Sequence, residues 1–243
     1  MAAGIIEIEP HIRLDHLRRF YSLLAVLRGR TRGPRLLASC TGQMVWPARG
    51  VYFFMEEGEM RTGSGDGHRV VRVGTHALNV GSHTKLWTRL SQHRGQKKSG
   101  SGNHRGSIFR LIVGTSLIAR HGYEFPTWGH GSNATATVRA DEVTLENEVS
   151  QIIGGMPFLW LEINDEPGPE SLRGYIERNS IALLSCVNRP AVDLPSERWL
   201  GRYCDRERIR NSGLWNSNHV EETYDPAFLD ALEKLVSDMK VTA

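Results

Sequence analysis

Apolar positions fall along the chain in runs of different period, and those periods predict its elements. Residues 11 to 27 set Ile12, Leu14, Leu17, Phe20, Leu24 and Leu27 among basic residues, a helical stripe with charge on its other side. Gly50 to Phe54 is an apolar, aromatic and β-branched run. Arg69 to Thr75 alternates basic residues with valines, the period of two expected of a strand. Between them Glu57-Gly58 and Gly63-Ser64-Gly65-Asp66-Gly67 supply turn chemistry, so the two runs read as a hairpin. From Thr84 the period becomes helical: Leu86 and Leu90 lie four apart, and so do Arg89 and His93 on a neighbouring face. One helix edge therefore presents a guanidinium and an imidazole together.

Gly95 to Gly106 is almost wholly Gly, Ser, Lys, Arg, Asn and His. Such a composition buries too little to offset ordering, which predicts a mobile loop unless a ligand such as phosphate holds it. Ser107 to Val113 is apolar, strand or short helix, and residues 119 to 136 read as a long loop. Asp141 to Ile153 carries Val143, Val149, Ile152 and Ile153 behind an acidic start and ahead of Gly154-Gly155, a helix with its stop. Met156 to Ile163 is a buried strand, and Pro169 to Ser185 is a helix begun by Pro and Glu in which Glu177 adjoins Ile176. Residues 188 to 218 are loop-rich, with Arg206, Arg208 and Arg210 in basic alternation and a tight turn over Ser212 to Asn216. Pro226 to Met239 is a packing helix with Asp225 as its N-cap.

With 243 residues, 40% hydrophobic and 23% charged, the chain has room for one elaborated domain with a sizeable core. A net charge of +3 excludes a histone-like binder, so any polyanion contact depends on local clusters. Arg28, Arg30, Arg32 and Arg35, set among Gly29, Gly33 and Pro34, read as a short basic linker. Cys40, Cys186 and Cys204 are odd in number and widely separated, as expected of thiols in a reducing compartment. His104, His121 and His130 match no zinc-ligand spacing. The N-terminus lacks a secretory pattern and no stretch approaches the ~18 apolar residues of a membrane span, so the expectation is a cytoplasmic protein without a membrane partner.

Gly-Val-Tyr at 50–52, Arg-Val-Gly at 72–74, Arg89 and His93 on one helix, a third strand at 156–163, Glu177 on the next helix and Leu-Trp-Asn ending at Asn216 together resemble the GIY-YIG nuclease family. The Arg-x-x-x-His pair and the Trp-Asn after the glutamate look most like its restriction-endonuclease branch. The resemblance implies an α+β fold, a small antiparallel three-stranded sheet flanked by helices. Residues 1–47 would form an N-terminal helical extension, 48–218 the core with an insertion at about 95–155, and 219–243 a C-terminal packing helix. It implies a Mg²⁺- (or Mn²⁺-) dependent DNA endonuclease, a homodimer if both strands are cut, with a cleavage-impaired DNA-binding module as the alternative.

In that resemblance Tyr52 is a general base or water-positioning phenol, Arg89 contacts the scissile phosphate, and His93 assists deprotonation or orients the tyrosine. Glu177 binds the one metal and Asn216 holds neighbouring groups. Arg72 stands where the family has its second tyrosine, with His76 as a substitute donor. The chemistry is coherent by itself: hydrolysing a phosphodiester needs an activated water and charge neutralisation at the developing phosphorane. Mg²⁺ keeps several waters, so one carboxylate suffices as its protein anchor. An arginine offers fork-like donors to non-bridging oxygens. A phenol titrating near ~10 is a poor base unless cations lie beside it.

Overall fold

The computed structural model describes residues 9–242. Its centre is the strand β2 (Gly50–Met60), whose first residues are buried on both faces because it lies between two partners. β3 (His68–Gly74) pairs with one edge of β2 and β4 (Pro157–Glu162) with the other, both antiparallel, so that Tyr52 stands opposite Gly74 on one side and Trp160 on the other. The two motif glycines follow from this packing. A Cβ on Gly50 would fall 2.4 Å from the Leu161 carbonyl oxygen, and one on Gly74 would fall 2.4 Å from the Tyr52 hydroxyl. Only glycine leaves the strands and the phenol that close.

Two expectations about this sheet are corrected. The sheet has four strands among the described residues, because β1 (Arg35–Leu36) pairs with the outer edge of β4 at Phe158 and Pro157. Two residues are too few to show a period, so the basic stretch hid it. β2 also runs past Glu57-Gly58, where a turn was expected, with register shifts after Phe54 and Met55. Its extension is anchored by its own carboxylates: Glu56 accepts the indole N–H groups of Trp199 and Trp215, and Glu59 pairs with Arg69 at 2.5 Å.

The helices cover both faces. α1 (Pro10–Arg30) packs on β4, bringing Phe20 against Phe53. The opposite face carries Tyr52 and Phe54, which meet α2 (Leu86–Arg94) through His93 and α3 (Ile108–His121) through Phe109. Ser107 to Val113 thus belongs to a helix, whose N-cap is Ser107. α4 (Ala136–Asp141) precedes α5 (Val143–Gly155), which packs on α2 and α3. The expected mobile segment before α3 is held at its end by the protein itself. His104 is buried with its backbone N–H on Glu146 at 2.6 Å, and Arg105 pairs with Glu142 at 2.6 Å.

α6 (Leu172–Leu184) starts after Pro169 and Glu170, because Ser171 supplies the acceptor for its first turn. α7 (Glu207–Ser212) breaks the loop-rich stretch, and α8 (Phe228–Asp238) packs on α1 and α6. Asp225 lies two residues short of the α8 cap position, its side chain accepting the Ala227 N–H at 3.0 Å. Among the described residues no helix is long and apolar enough to cross a membrane.

Candidate active site

Tyr52 leaves β2 towards α2 and is 1% exposed. Its Oη lies 2.8 Å from His93 Nε2, with the two rings edge-on. His93 is fully buried, and its Nδ1 lies 2.7 Å from the Ser107 hydroxyl. Burial, reinforced by the charges of Arg89, Arg72 and Arg110, holds the imidazole well below its ordinary pKa, so it is neutral at physiological pH. His93 therefore stands behind Tyr52, while Arg89, four residues earlier on the same helix, reaches the surface half-buried. Their period of four put them on one helix edge, and the fold gives them different depths.

Arg72 faces the same side of the sheet, since its register partner is Phe54. Its guanidinium lies 4.5 Å over the Phe109 ring and donates to the Trp215 carbonyl oxygen. Burial lowers its pKa, opposed by the neighbouring Tyr52 phenol and Glu177 carboxylate. Asn216 binds the exposed edge of β3 at both backbone groups of Val73, accepting its N–H at 3.1 Å and donating to its carbonyl at 2.8 Å. Together with the Trp215 N–H on the Val71 carbonyl at 2.7 Å, this closes an edge strand that would otherwise be open.

Glu177, half-buried on α6, accepts the Thr75 backbone N–H at 2.9 Å through Oε1. Burial pushes its carboxyl above the usual range, against the pull of Arg72 and of that N–H. Arg89 donates to Gln92 at 3.0 Å and to the Gly106 carbonyl at 3.2 Å.

Tyr52, Arg72, Arg89, Glu177 and Asn216, carried by β2, β3, α2, α6 and the segment after α7, line one cleft of about 380 Å³. Glu177 is the one carboxylate among the described residues in its wall. No group of three or more His, Cys, Asp or Glu side chains among the described residues is arranged around a metal position. The donor set suits a hard cation that takes most of its oxygens from water and substrate: one carboxylate whose Oε2 has no hydrogen bond among the described residues, beside three arginines, Arg72, Arg89 and Arg206, that attract phosphate. Glu148, the other carboxylate that the sequence offers as a metal anchor, and Glu146 beside it both lie outside the cleft lining, and Glu146 is buried with Arg110 and His104.

His76 lies in a neighbouring depression of about 340 Å³ that shares Arg89 and Glu177, and burial pushes it down to about 4. It does not line the cleft beside Tyr52, so it is no direct substitute for a tyrosine at position 72. Of the three alternating arginines only Arg206 reaches the cleft; Arg208 pairs with Glu221 and Arg210 donates to the Cys204 carbonyl. The helical turn of α7 breaks their alternation. Ser107 is the residue that motif reading passes over. Its only local signal was a Ser directly ahead of an apolar run, an N-cap signature.

A protein-family model described as the GIY-YIG domain matches residues 11–242. No curated protein and no solved structure matches the chain.

Proposed function

The chain belongs to the GIY-YIG domain family, a family of nucleases, and we propose that it is a Mg²⁺- or Mn²⁺-dependent DNA endonuclease. The observation that carries this reading is the convergence of Tyr52, Arg72, Arg89, Glu177 and Asn216 on one cleft from five separate segments. Glu177 would hold the cation, whose contribution when bound is Lewis-acid stabilisation of charge on the phosphate. Arg89, half-exposed, binds non-bridging oxygens and can exchange its Gln92 and Gly106 contacts for them. Arg72, fixed by Trp215, places a permanent positive charge beside Tyr52 and Glu177, where the phosphorane develops. Tyr52 orients the attacking water, His93 holds the phenol from behind, and Asn216 fixes the strand that carries Arg72. The exposed Lys97 and Lys98 supply backbone contacts to the duplex.

Incubation of purified protein with supercoiled plasmid tests this. Nicking is expected with Mg²⁺ or Mn²⁺, with loss on chelation and in Glu177→Ala. Metal-independent nicking, or full activity in Glu177→Ala, overturns the metal role. Arg72 in place of a tyrosine favours a second reading, a DNA-binding module that no longer cleaves. Retained DNA binding without cleavage under any divalent cation decides for it. Cutting both strands from one cleft per chain calls for a dimer, which sedimentation of the DNA complex measures.

A further inference from the structure

The hydrogen-bond inventory behind Tyr52 has one solution. Ser107 is 1% exposed. Its Oγ accepts the Arg110 backbone N–H at 3.3 Å as the cap of α3 and lies 2.7 Å from His93 Nδ1. Among the described residues no other group accepts the Ser107 hydroxyl proton. A buried hydroxyl left without an acceptor is costly, so the proton goes to Nδ1. A neutral imidazole that accepts at Nδ1 carries its own proton at Nε2. The opposite tautomer would strand the serine proton. Arg110 secures the arrangement from below, donating to the His93 carbonyl at 2.9 Å and to Glu146 at 2.9 Å.

We propose that Ser107 is a positioning residue that locks His93 in the Nε2–H tautomer, so that His93 donates a hydrogen bond to the Tyr52 oxygen and does not take its proton. The phenol's own O–H then points into the cleft. If Tyr52 ionises, its O–H bond breaks towards a cleft water, which receives the proton, and the oxygen keeps the electron pair while still accepting Nε2–H. His93 keeps its Nε2 proton throughout and neither accepts nor releases one in the cycle. The tautomer assignment stands on the geometry behind Tyr52, and its catalytic consequence rests on the nuclease reading above.

¹⁵N-histidine NMR of the full chain without DNA or metal reads the tautomer directly, with His93 identified by the resonances lost in His93→Gln. An Nε2–H pattern is expected, and an Nδ1–H pattern in the parent overturns the proposal. In Ser107→Ala the lock is removed, so the His93 resonances should move towards a tautomer mixture. kcat for cleavage should fall about tenfold at unchanged KM, with both restored in Ser107→Thr, which keeps a hydroxyl. An unchanged His93 pattern in Ser107→Ala overturns the lock. If Ser107→Ala does not fold, the parent and Ser107→Thr spectra decide. If the parent does not cleave DNA, the nuclease reading fails while the spectra still decide the tautomer.

Discussion

Two arginines are buried on the Tyr52 side of the sheet, one behind the phenol and one in front, and their surroundings differ in kind. Arg110, fully buried, has its charge met by Glu146 at 2.5 Å, with the Glu146 and His93 carbonyls and Ser150 taking further N–H groups. Glu146 responds in turn: burial pushes its pKa up, but the His104 hydrogen bond and the Arg110 charge outweigh that and lower it. Arg72, 6% exposed, has a carbonyl and an aromatic face but no carboxylate at ion-pair distance among the described residues, and its Nε is unpartnered. The region behind Tyr52 is thus electrostatically closed, whereas the region in front holds excess positive charge beside a single raised carboxylate. An anionic ligand completes the second region and has no place in the first.

The contrast breaks most visibly at Glu146. Glu146→Ala leaves Arg110 as an uncompensated buried charge, and denaturant unfolding should show a loss of about 3–5 kcal/mol. A loss below about 1 kcal/mol would mean that the pair is not a structural unit. Arg72→Leu should behave oppositely. It removes a buried charge that has no carboxylate at ion-pair distance among the described residues, so stability stays level or rises, while the cleavage rate falls about 10²–10³-fold, the effect of deleting one preorganised donor. Lost stability together with full cleavage would assign Arg72 to packing.

The smallest effect is a pH dependence at Glu177. A carboxyl whose folded pKa is raised destabilises the fold once it must ionise. Stability is fully retained below the ordinary carboxylate pKa and declines as pH rises through the raised folded value. Metal-free Glu177→Gln, which cannot ionise, should therefore match the parent at low pH and become the more stable of the two towards neutrality. Melting curves across pH that run parallel would show that Glu177 is solvated like a surface carboxylate.

Legibility followed the same division. Tyr52, Arg89 and His93 could be singled out because an apolar, aromatic run bounded by turn residues and a helix of period 3.6 announce themselves locally. The Gly-Val-Tyr and Arg-Val-Gly signatures rest on close approaches that glycine alone permits. Glu177 needed the order of elements as well. Ser107 and the Arg110–Glu146 pair escaped because nothing near them in the chain marks their partners. The composition of residues 95–106 pointed to a mobile loop when its end is held by two carboxylates, Glu146 on α5 and Glu142 at its N-cap.

What the sequence determined by itself is therefore local: the hairpin, the Arg-His helix, the third strand and the helix that carries Glu177. What only the tertiary structure decided is which of those residues meet. Tyr52 and His93 are 41 positions apart, Arg110 and Glu146 are 36, and Arg72 and Trp215 are 143. No periodicity reaches across such gaps. Whether an arginine is neutralised or left to face a cleft is settled by the packing of helices on the sheet, because in a buried setting the nearest opposite charge, and not the residue's own type, fixes what its charge is available to do.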